Sequence, residues 1–184
     1  TVTFTATDEC GNTNQTSATF TIEDTTDPVI TTAASDQTVE CDGAGNVAQL
    51  NAWLASNGGA AANDMCGSVS FTNNFTSLSD DCGATGSATV TFTATDECGN
   101  TNQTSATFTI EDTTDPVITT CPTDVTLDCT DPLPSSAGIA FTDGCSGGGT
   151  TPPAVIFDNA AACAGTHIIT YTWTATDDCG NSST

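Results

Sequence analysis

The chain has 184 residues, with 23 Asp plus Glu, no Lys or Arg, and one His, for a formal charge of −23. It has no cations to set against phosphate, which excludes nucleic acid as a partner and argues against anionic lipid headgroups. Its ten cysteines include no CxxC pair of the kind zinc uses, so they read as disulfides formed in an oxidising compartment outside the cytosol.

No apolar run approaches the roughly 20 residues that span a bilayer, so no transmembrane segment is expected. No signal peptide or initiator Met is visible, and an export signal is expected upstream of Thr1. Self-repulsion at this charge calls for relief, and bound divalent cations are the expected agent.

The chain opens on "TVTFTATDECGNTNQTSATFTIEDTTDPVITT" at residues 1–32 and repeats it unchanged at 89–120. A drifted copy, "TYTWTATDDCGNSST", closes the sequence from Thr170. Aligned on "CGN", Cys10, Cys98 and Cys179 stand 88 and 81 residues apart, a period the size of a small domain. The "EDTTDP" linkers punctuate the units. Residues 1–23 then read as the last two strands of a preceding unit, 24–111 as a complete unit, and 112–184 as a unit lacking its final strand.

Within a unit, "TVTFTAT" places Val90, Phe92 and Ala94 on one face and threonines on the other, the period-two pattern of a half-buried strand. "SATFTIE" does the same with Ala106, Phe108 and Ile110, and "SVSFTNNF" offers Val69 and Phe71. Tyr171 and Trp173 replace Val90 and Phe92 in the drifted copy, so these aromatics are expected in a core. In "NVAQLNAWLASNGG", Val47, Leu50 and Leu54 have helical spacing, with Asn46 as a candidate cap and Gly58 as a stop. This helix is expected as a lid across one end, with Trp53 as the main aromatic that does not alternate inward. The fold class is all-β: tandem immunoglobulin-like β-sandwiches with a short helix in one unit.

Disulfides join only loops at the same end of a sandwich, because the Cα atoms must come within about 4.4–6.8 Å. Cys66 and Cys98 are expected at one end, and Cys41 and Cys82 at the other. The pairs expected are Cys41–Cys82, Cys66–Cys98, Cys129–Cys163 and Cys145–Cys179, although four cysteines leave three connectivities open. Cys10 and Cys121 are left over. Their partners are expected upstream of Thr1 and downstream of Thr184, with bonding between neighbouring molecules as the alternative.

The phrases "DTTDPVIT", "CP" with "VTLDC", and "TATDDCGN" or "TATDECGN" resemble hyalin-repeat (HYR-like) domains, in the flavour found in giant secreted surface proteins of Bacteroidetes-type bacteria. The resemblance covers nearly the whole chain. It implies immunoglobulin-like modules in extracellular adhesins or fibres, exported by the type IX route. In many such repeats a Cys at the "ITCP" position matches one on the last strand. Ala33 and "TNQTSATFTI" lack both members of that pair.

The acidic residues gather at the linkers and at loops expected beside them. Glu23, Asp24 and Asp27 stand with Asp64, Asp96 and Glu97; Glu111, Asp112 and Asp115 stand with Asp143, Asp177 and Asp178. Calcium takes six to eight oxygen ligands, and carboxylates converging on a domain junction suit it; plain solvated loops are the alternative reading. The "DTT" triplets at Thr25 and Thr113 resemble O-glycosylation sites of Bacteroidetes-type exported proteins. Asn14, Asn74, Asn102 and Asn181 head N-glycosylation triplets that chance readily supplies.

Catalysis has little to stand on, with His167 the lone base candidate and no Lys or Arg for an oxyanion or phosphate clamp. The expectation is a non-enzymatic extracellular rod or fibre, structural or adhesive, stiffened by calcium. Its expected partners are neighbouring repeats or identical subunits, and surface glycans. A strand-exchanging filament subunit and a carbohydrate-binding module of a secreted enzyme are the alternatives.

Overall fold

The computed structural model describes residues 1–128, 131, 138–152, 154–160 and 167–184, with 154–160 and 167–168 described as backbone alone. In chain order the elements are β1 (Val2–Thr7), β2 (Thr13–Ala18), β3 (Val29–Thr32), β4 (Gln37–Glu40), α1 (Val47–Ala55), β5 (Ala61–Asn63), β6 (Ser70–Asn73), β7 (Gly86–Thr95) and β8 (Thr101–Glu111). They continue as β9 (Val117–Ile118), β10 (Ile139–Asp143), β11 (Gly147–Thr151), β12 (Ala154–Ala160), β13 (His167–Thr172), β14 (Ala175–Thr176) and β15 (Ser182–Ser183). The described chain is therefore mostly β, with one short helix. No described helix is long and apolar enough to cross a membrane.

Residues 24–111 are built on a four-stranded sheet in the order β4-β8-β7-β6, in which β4 runs parallel to β8 and the other pairs are antiparallel. β3 pairs with β5 in a separate two-stranded sheet. Beyond the second linker, β10 pairs with β9 and β11, β12 with β13, and β14 with β15.

The period-two reading of β7 and β8 holds. Val90, Phe92 and Phe108 are fully buried, as is Ala94, with Ala106 and Ile110 nearly so. The opposite face carries a polar ladder. Thr89 meets Thr107 at 3.0 Å, Thr91 meets Ser105 at 2.9 Å, and Gln103 donates to Thr93 at 3.1 Å. These are directly opposed residues in the register, so the outer face is held by cross-strand pairs as the inner face is held by packing. Phe71 is half-buried against the same core. Tyr171 and Trp173 are half-buried, with ring centroids 5.9 Å apart.

The helix forms where its spacing places it but covers a face, not an end. Leu50 and Trp53 lie in the core with Phe92 and Phe108, and Leu54 packs beside them. The Trp53 ring sits 5.3 Å from Phe92, edge-on, and 5.5 Å from Phe108, while its Nε1–H donates to the Ser35 carbonyl. Trp53, the expected exposed aromatic, is thus the largest side chain that the helix buries. Four strands need a second layer to exclude water from their apolar face, and this nine-residue helix supplies much of it.

Asn46 stands at the N-cap, as expected, and its carbonyl accepts from the Leu50 N–H, but its side chain does not cap the helix. The residue is in the left-handed region (φ 49°). Fully buried, it accepts from the Asp42 N–H and donates to the Glu40 carbonyl, locking the β4–α1 loop. The helix ends at Ser56, and Gly58 lies in the left-handed turn that follows (φ 63°), where a Cβ would press on the Phe92 ring.

The hairpin β1–β2 repeats the sequence and the register of β7–β8, including a Thr1–Thr19 hydroxyl contact and a Gln15 to Thr5 bond. Its apolar residues have no second layer: Val2 is 56% exposed and Phe4 60%, and Phe20 and Ile22, which follow β2, are 81% and 85% exposed.

The two copies make a test of burial free of sequence differences. Phe92→Ala is expected to destabilise the non-reduced protein by about 3–5 kcal/mol in urea denaturation, whereas Phe4→Ala is expected to change it by less than about 0.5 kcal/mol.

Candidate metal centre

The "DxCGN" phrase folds as a tight loop organised by its first residue. Asp96 Oδ1 accepts from the backbone N–H groups of Cys98 (2.8 Å), Gly99 (2.7 Å) and Asn100 (2.9 Å), and the Asn100 side chain donates to Oδ2 at 2.8 Å. Asp177 holds Cys179 and Asn181 in the same way, and Asp8 holds Cys10 and Asn12. Hydrogen bonds from Asn100 and its loop N–H groups hold the Asp96 carboxyl below its ordinary range. The Asn amide then reaches the linker, Asn100 to the Asp24 carbonyl and Asn181 to the Asp112 carbonyl. Asn102 likewise donates to the Pro28 carbonyl. The nitrogens of two N-glycosylation triplets therefore serve as linker clamps.

These clamps bring a linker carboxylate against two loop carboxylates. One oxygen from each of Asp112, Asp143 and Asp177 lies within 4.8 Å of the others, and Asp177 is buried. Asp143 Oδ1 is engaged by the Cys145 and Ser146 N–H groups and the Ser146 hydroxyl, and Asp112 Oδ1 by the Thr114 N–H. Among the described residues, Oδ2 of Asp112 and Oδ2 of Asp143 are the buried side-chain oxygens left without a hydrogen-bond partner.

Burial pushes the Asp112 carboxyl above its ordinary range, helped by the charges of Asp143, Asp177 and Glu40. Donors from Ser146 and Cys145 instead hold Asp143 low. A buried carboxylate needs a partner, and a chain without Lys or Arg supplies no cationic side chain other than its one His. The donors are hard oxygens, the set that suits calcium. Asp112, Asp143 and Asp177 would hold such an ion, whose two positive charges would offset most of their negative charge.

The equivalent residues one repeat earlier are Asp24, Asp64 and Asp96. Asp24 and Asp64 meet within 4.8 Å, with Cys66 as the third member. The Asp24 charge and burial push the Cys66 thiol up, with further contributions from Asp64 and Asp96. Cys98 is raised by burial and by Asp24 and Asp96.

The remaining predicted ligands do not join either cluster. Glu97 accepts from the Ser68 hydroxyl and Asp115 from the Ser182 N–H. Glu23, Asp27, Glu111 and Asp178 are exposed. Sequence reasoning missed Glu40. Its carboxylate accepts from the Thr113 N–H (2.9 Å), the Thr113 hydroxyl (2.9 Å) and the Thr114 hydroxyl (2.7 Å), which hold it below the usual range. No sequence signal marked it: Glu40 reaches the linker because β4 pairs in parallel with β8, which sets Glu40 opposite Glu111, the residue before the linker. The Thr113 hydroxyl, an expected glycan acceptor, is engaged in this clasp, while Thr25 is exposed.

The disulfides are the largest departure from expectation. Cys41 bonds Cys145 and Cys82 bonds Cys179, with Cα atoms 5.5 and 5.1 Å apart. The expected Cys41–Cys82, Cys145–Cys179 and Cys66–Cys98 bonds do not form; Cys10, Cys66, Cys98 and Cys121 are free and exposed. Cys129 and Cys163 lie outside the described residues.

The reason for the change of partner is geometric. Cys41 donates its N–H to the carbonyl of Glu111, the last residue of β8, and Cys82 lies just before β7, whose Gly86 pairs with Ile110. Both therefore sit at the linker end of 24–111, as expected. That end abuts the β10–β11 turn and the "DDCGN" loop, which carry Cys145 and Cys179. A Cβ on Gly43 would collide with the Gly144 carbonyl, and one on Gly83 would crowd Ser146. The loop tips face each other across the linker, and the bonds cross it.

No protein-family model, curated protein or solved structure matches this chain.

Because the folded-state pKa of Asp112 is raised, its contribution favours the fold at low pH and is lost as pH rises through that pKa. In chelator, Asp112→Asn is therefore expected to raise the melting temperature at neutral pH, with the gain shrinking towards zero as pH falls through the Asp112 pKa. Thermal melts of both proteins across a pH series check this.

Proposed function

We propose that this chain is part of an extracellular structural or adhesive array at a bacterial cell surface. In this reading it consists of tandem immunoglobulin-like modules of the hyalin-repeat type, crosslinked across each linker and stiffened there by calcium. It performs no catalysis. Its partners are neighbouring repeats, identical subunits in a fibre, and surface glycans where it adheres.

The observation that carries this reading is the pair of disulfides that bracket the Asp112–Asp143–Asp177 cluster. They span 104 and 97 residues of sequence. In the chain-entropy account, one crosslink over about 100 residues disfavours the unfolded state by roughly 4.7 kcal/mol, and a second anchored beside it by less. Such bonds persist outside the cytosol. Two covalent ties and an ion at one junction suppress bending and twisting together, as a rod requires and an isolated binding module does not. The carbohydrate-binding alternative loses its main aromatic to the core, where Trp53 is buried.

Strand exchange between subunits keeps one favouring observation. Phe20 and Ile22 follow β2 in an exposed segment, while their counterparts Phe108 and Ile110 are sheet residues at the centre of a core. That reading requires concentration-dependent multimers that dissociate in denaturant without reductant.

Calcium at a hundredfold excess over its dissociation constant is expected to stabilise the non-reduced protein by about 2.7 kcal/mol, reversibly with EDTA and well beyond magnesium. The response is expected to be lost in Asp143→Asn. Calorimetry or thermal melts decide it, and a calcium response no larger than that of magnesium leaves the disulfides and hydrogen bonds to hold the junction.

A further inference from the structure

The Cys41–Cys145 and Cys82–Cys179 bonds fix a rule for how one repeat grips the next, and the rule has an unused half on this chain. By sequence, Cys66 and Cys98 occupy the places of Cys145 and Cys179, each following its acidic residue in the same way: Asp64 before Cys66, Asp143 before Cys145, Asp96 before Cys98 and Asp177 before Cys179. The local structure agrees. Asp64 accepts from the Cys66 N–H at 2.7 Å and Asp143 from the Cys145 N–H at 2.8 Å, while Asp96 and Asp177 accept from Cys98 and Cys179 at 2.8 and 2.9 Å. At the downstream junction both cysteines are bonded; at the upstream one both are free and exposed.

One further observation says what covers this end. The adjoining hairpin β1–β2 has the sequence of residues 90–106 of β7–β8, whose apolar face is covered by the helix residues Leu50 and Trp53 of its own module. Its bare face matches the same object as the free cysteines, a module carrying residues of the 24–88 kind ahead of β1.

We infer that Cys66 and Cys98 form the receiving face for a preceding module of this repeat type, with Cys66 bonding its Cys41 equivalent and Cys98 its Cys82 equivalent. This deepens the array reading and rests on it. Each bond forms as two thiols lose two protons and two electrons to a disulfide oxidant, such as oxidised glutathione, which leaves as two thiols. The module then has a donor end (Cys41, Cys82) and a receiver end (Cys66, Cys98), so every link points the same way along the array.

The identity of residues 1–32 with 89–120 permits a seamless test: a second copy of residues 24–88 is joined ahead of Thr1 of the full chain. The protein is equilibrated in a glutathione redox buffer, its remaining thiols are alkylated, and it is cut with an Asp-directed protease for non-reducing mass spectrometry. Half of the Cys41 peptide is expected on Cys66 and half on Cys145, with Cys82 divided likewise between Cys98 and Cys179. Cys66→Ser is expected to free one Cys41 thiol for alkylation and leave the Cys98 bond in place.

A Cys66–Cys98 bond, or no Cys41 peptide on Cys66 and no Cys82 peptide on Cys98 while the Cys145 and Cys179 bonds are present, overturns the inference but not the array reading. Absence of the Cys145 and Cys179 bonds themselves overturns both.

Discussion

A buried carboxylate must find positive charge or hydrogen-bond donors, and this chain has no Lys or Arg to offer. Much of its local architecture follows from that constraint. Asp96, Asp143 and Asp177 each accept from N–H groups of the next few residues, and the exposed Asp8 and Asp42 do the same. Charge-assisted bonds of this kind are stronger than neutral ones, and here they fix loop shape where another protein would use salt bridges. At the linker the supply of donors runs out. Asp112 and Asp143 each keep one buried oxygen without a hydrogen-bond partner, and it is there that the proposed cation would sit.

The linker is the place where every kind of interaction in the chain converges. Pro28 and Pro116 are fully buried, and their carbonyls accept from Asn102 and Ser183. Glu40 clasps Thr113 and Thr114, Asn181 clamps the Asp112 carbonyl, and two disulfides cross from one side to the other. A flexible connection has few contacts crossing it; this one has hydrogen bonds, covalent bonds and a charge cluster. The glycines at 43 and 83 belong to the same design, since a side chain at either position would hold the two loop tips apart.

What was legible in the sequence follows the range of the interactions. Alternation in "TVTFTAT" and "SATFTIE" reports a strand and its buried face because period two is a local property, and α1 was equally readable from Leu50 and Leu54. The ends at which the cysteines lie were also readable, since they follow from strand direction. Their partners were not, because reading each repeat as a closed unit hides bonds made between units. Asn46 was placed correctly at the helix start, but its side-chain partners were not legible, because they lie in the loop from Glu40 to Asp42 and not in the helix. Of the twelve expected ligands, those the structure gathers downstream are the linker Asp and the first acidic residue of each loop. Position within the loop, not acidity, selected them, because the first residue is the one whose carboxylate can collect the following N–H groups.

The duplicated 32 residues show how much of the fold lies outside any one stretch of sequence. Over residues 1–19 and 89–107, β1–β2 and β7–β8 share every residue, the same pairing register and the same Thr–Thr and Gln–Thr contacts across the strands. They differ in that Phe92 is fully buried and Phe4 is 60% exposed. Hairpin geometry is therefore set by local sequence, while its stability is set by whether a helix and a parallel strand arrive to cover it. An isolated two-stranded hairpin is marginal in water. A module of this type thus has to be complete before its closing hairpin is worth keeping, and it has to be joined before its end-loop thiols and carboxylates find partners. Both requirements push towards long runs of like modules, in which each unit closes its own core and supplies partners for its successor's end-loop cysteines. Since donor and receiver ends are different surfaces, repetition of the contact leads to an open chain unless its rotation happens to close a ring.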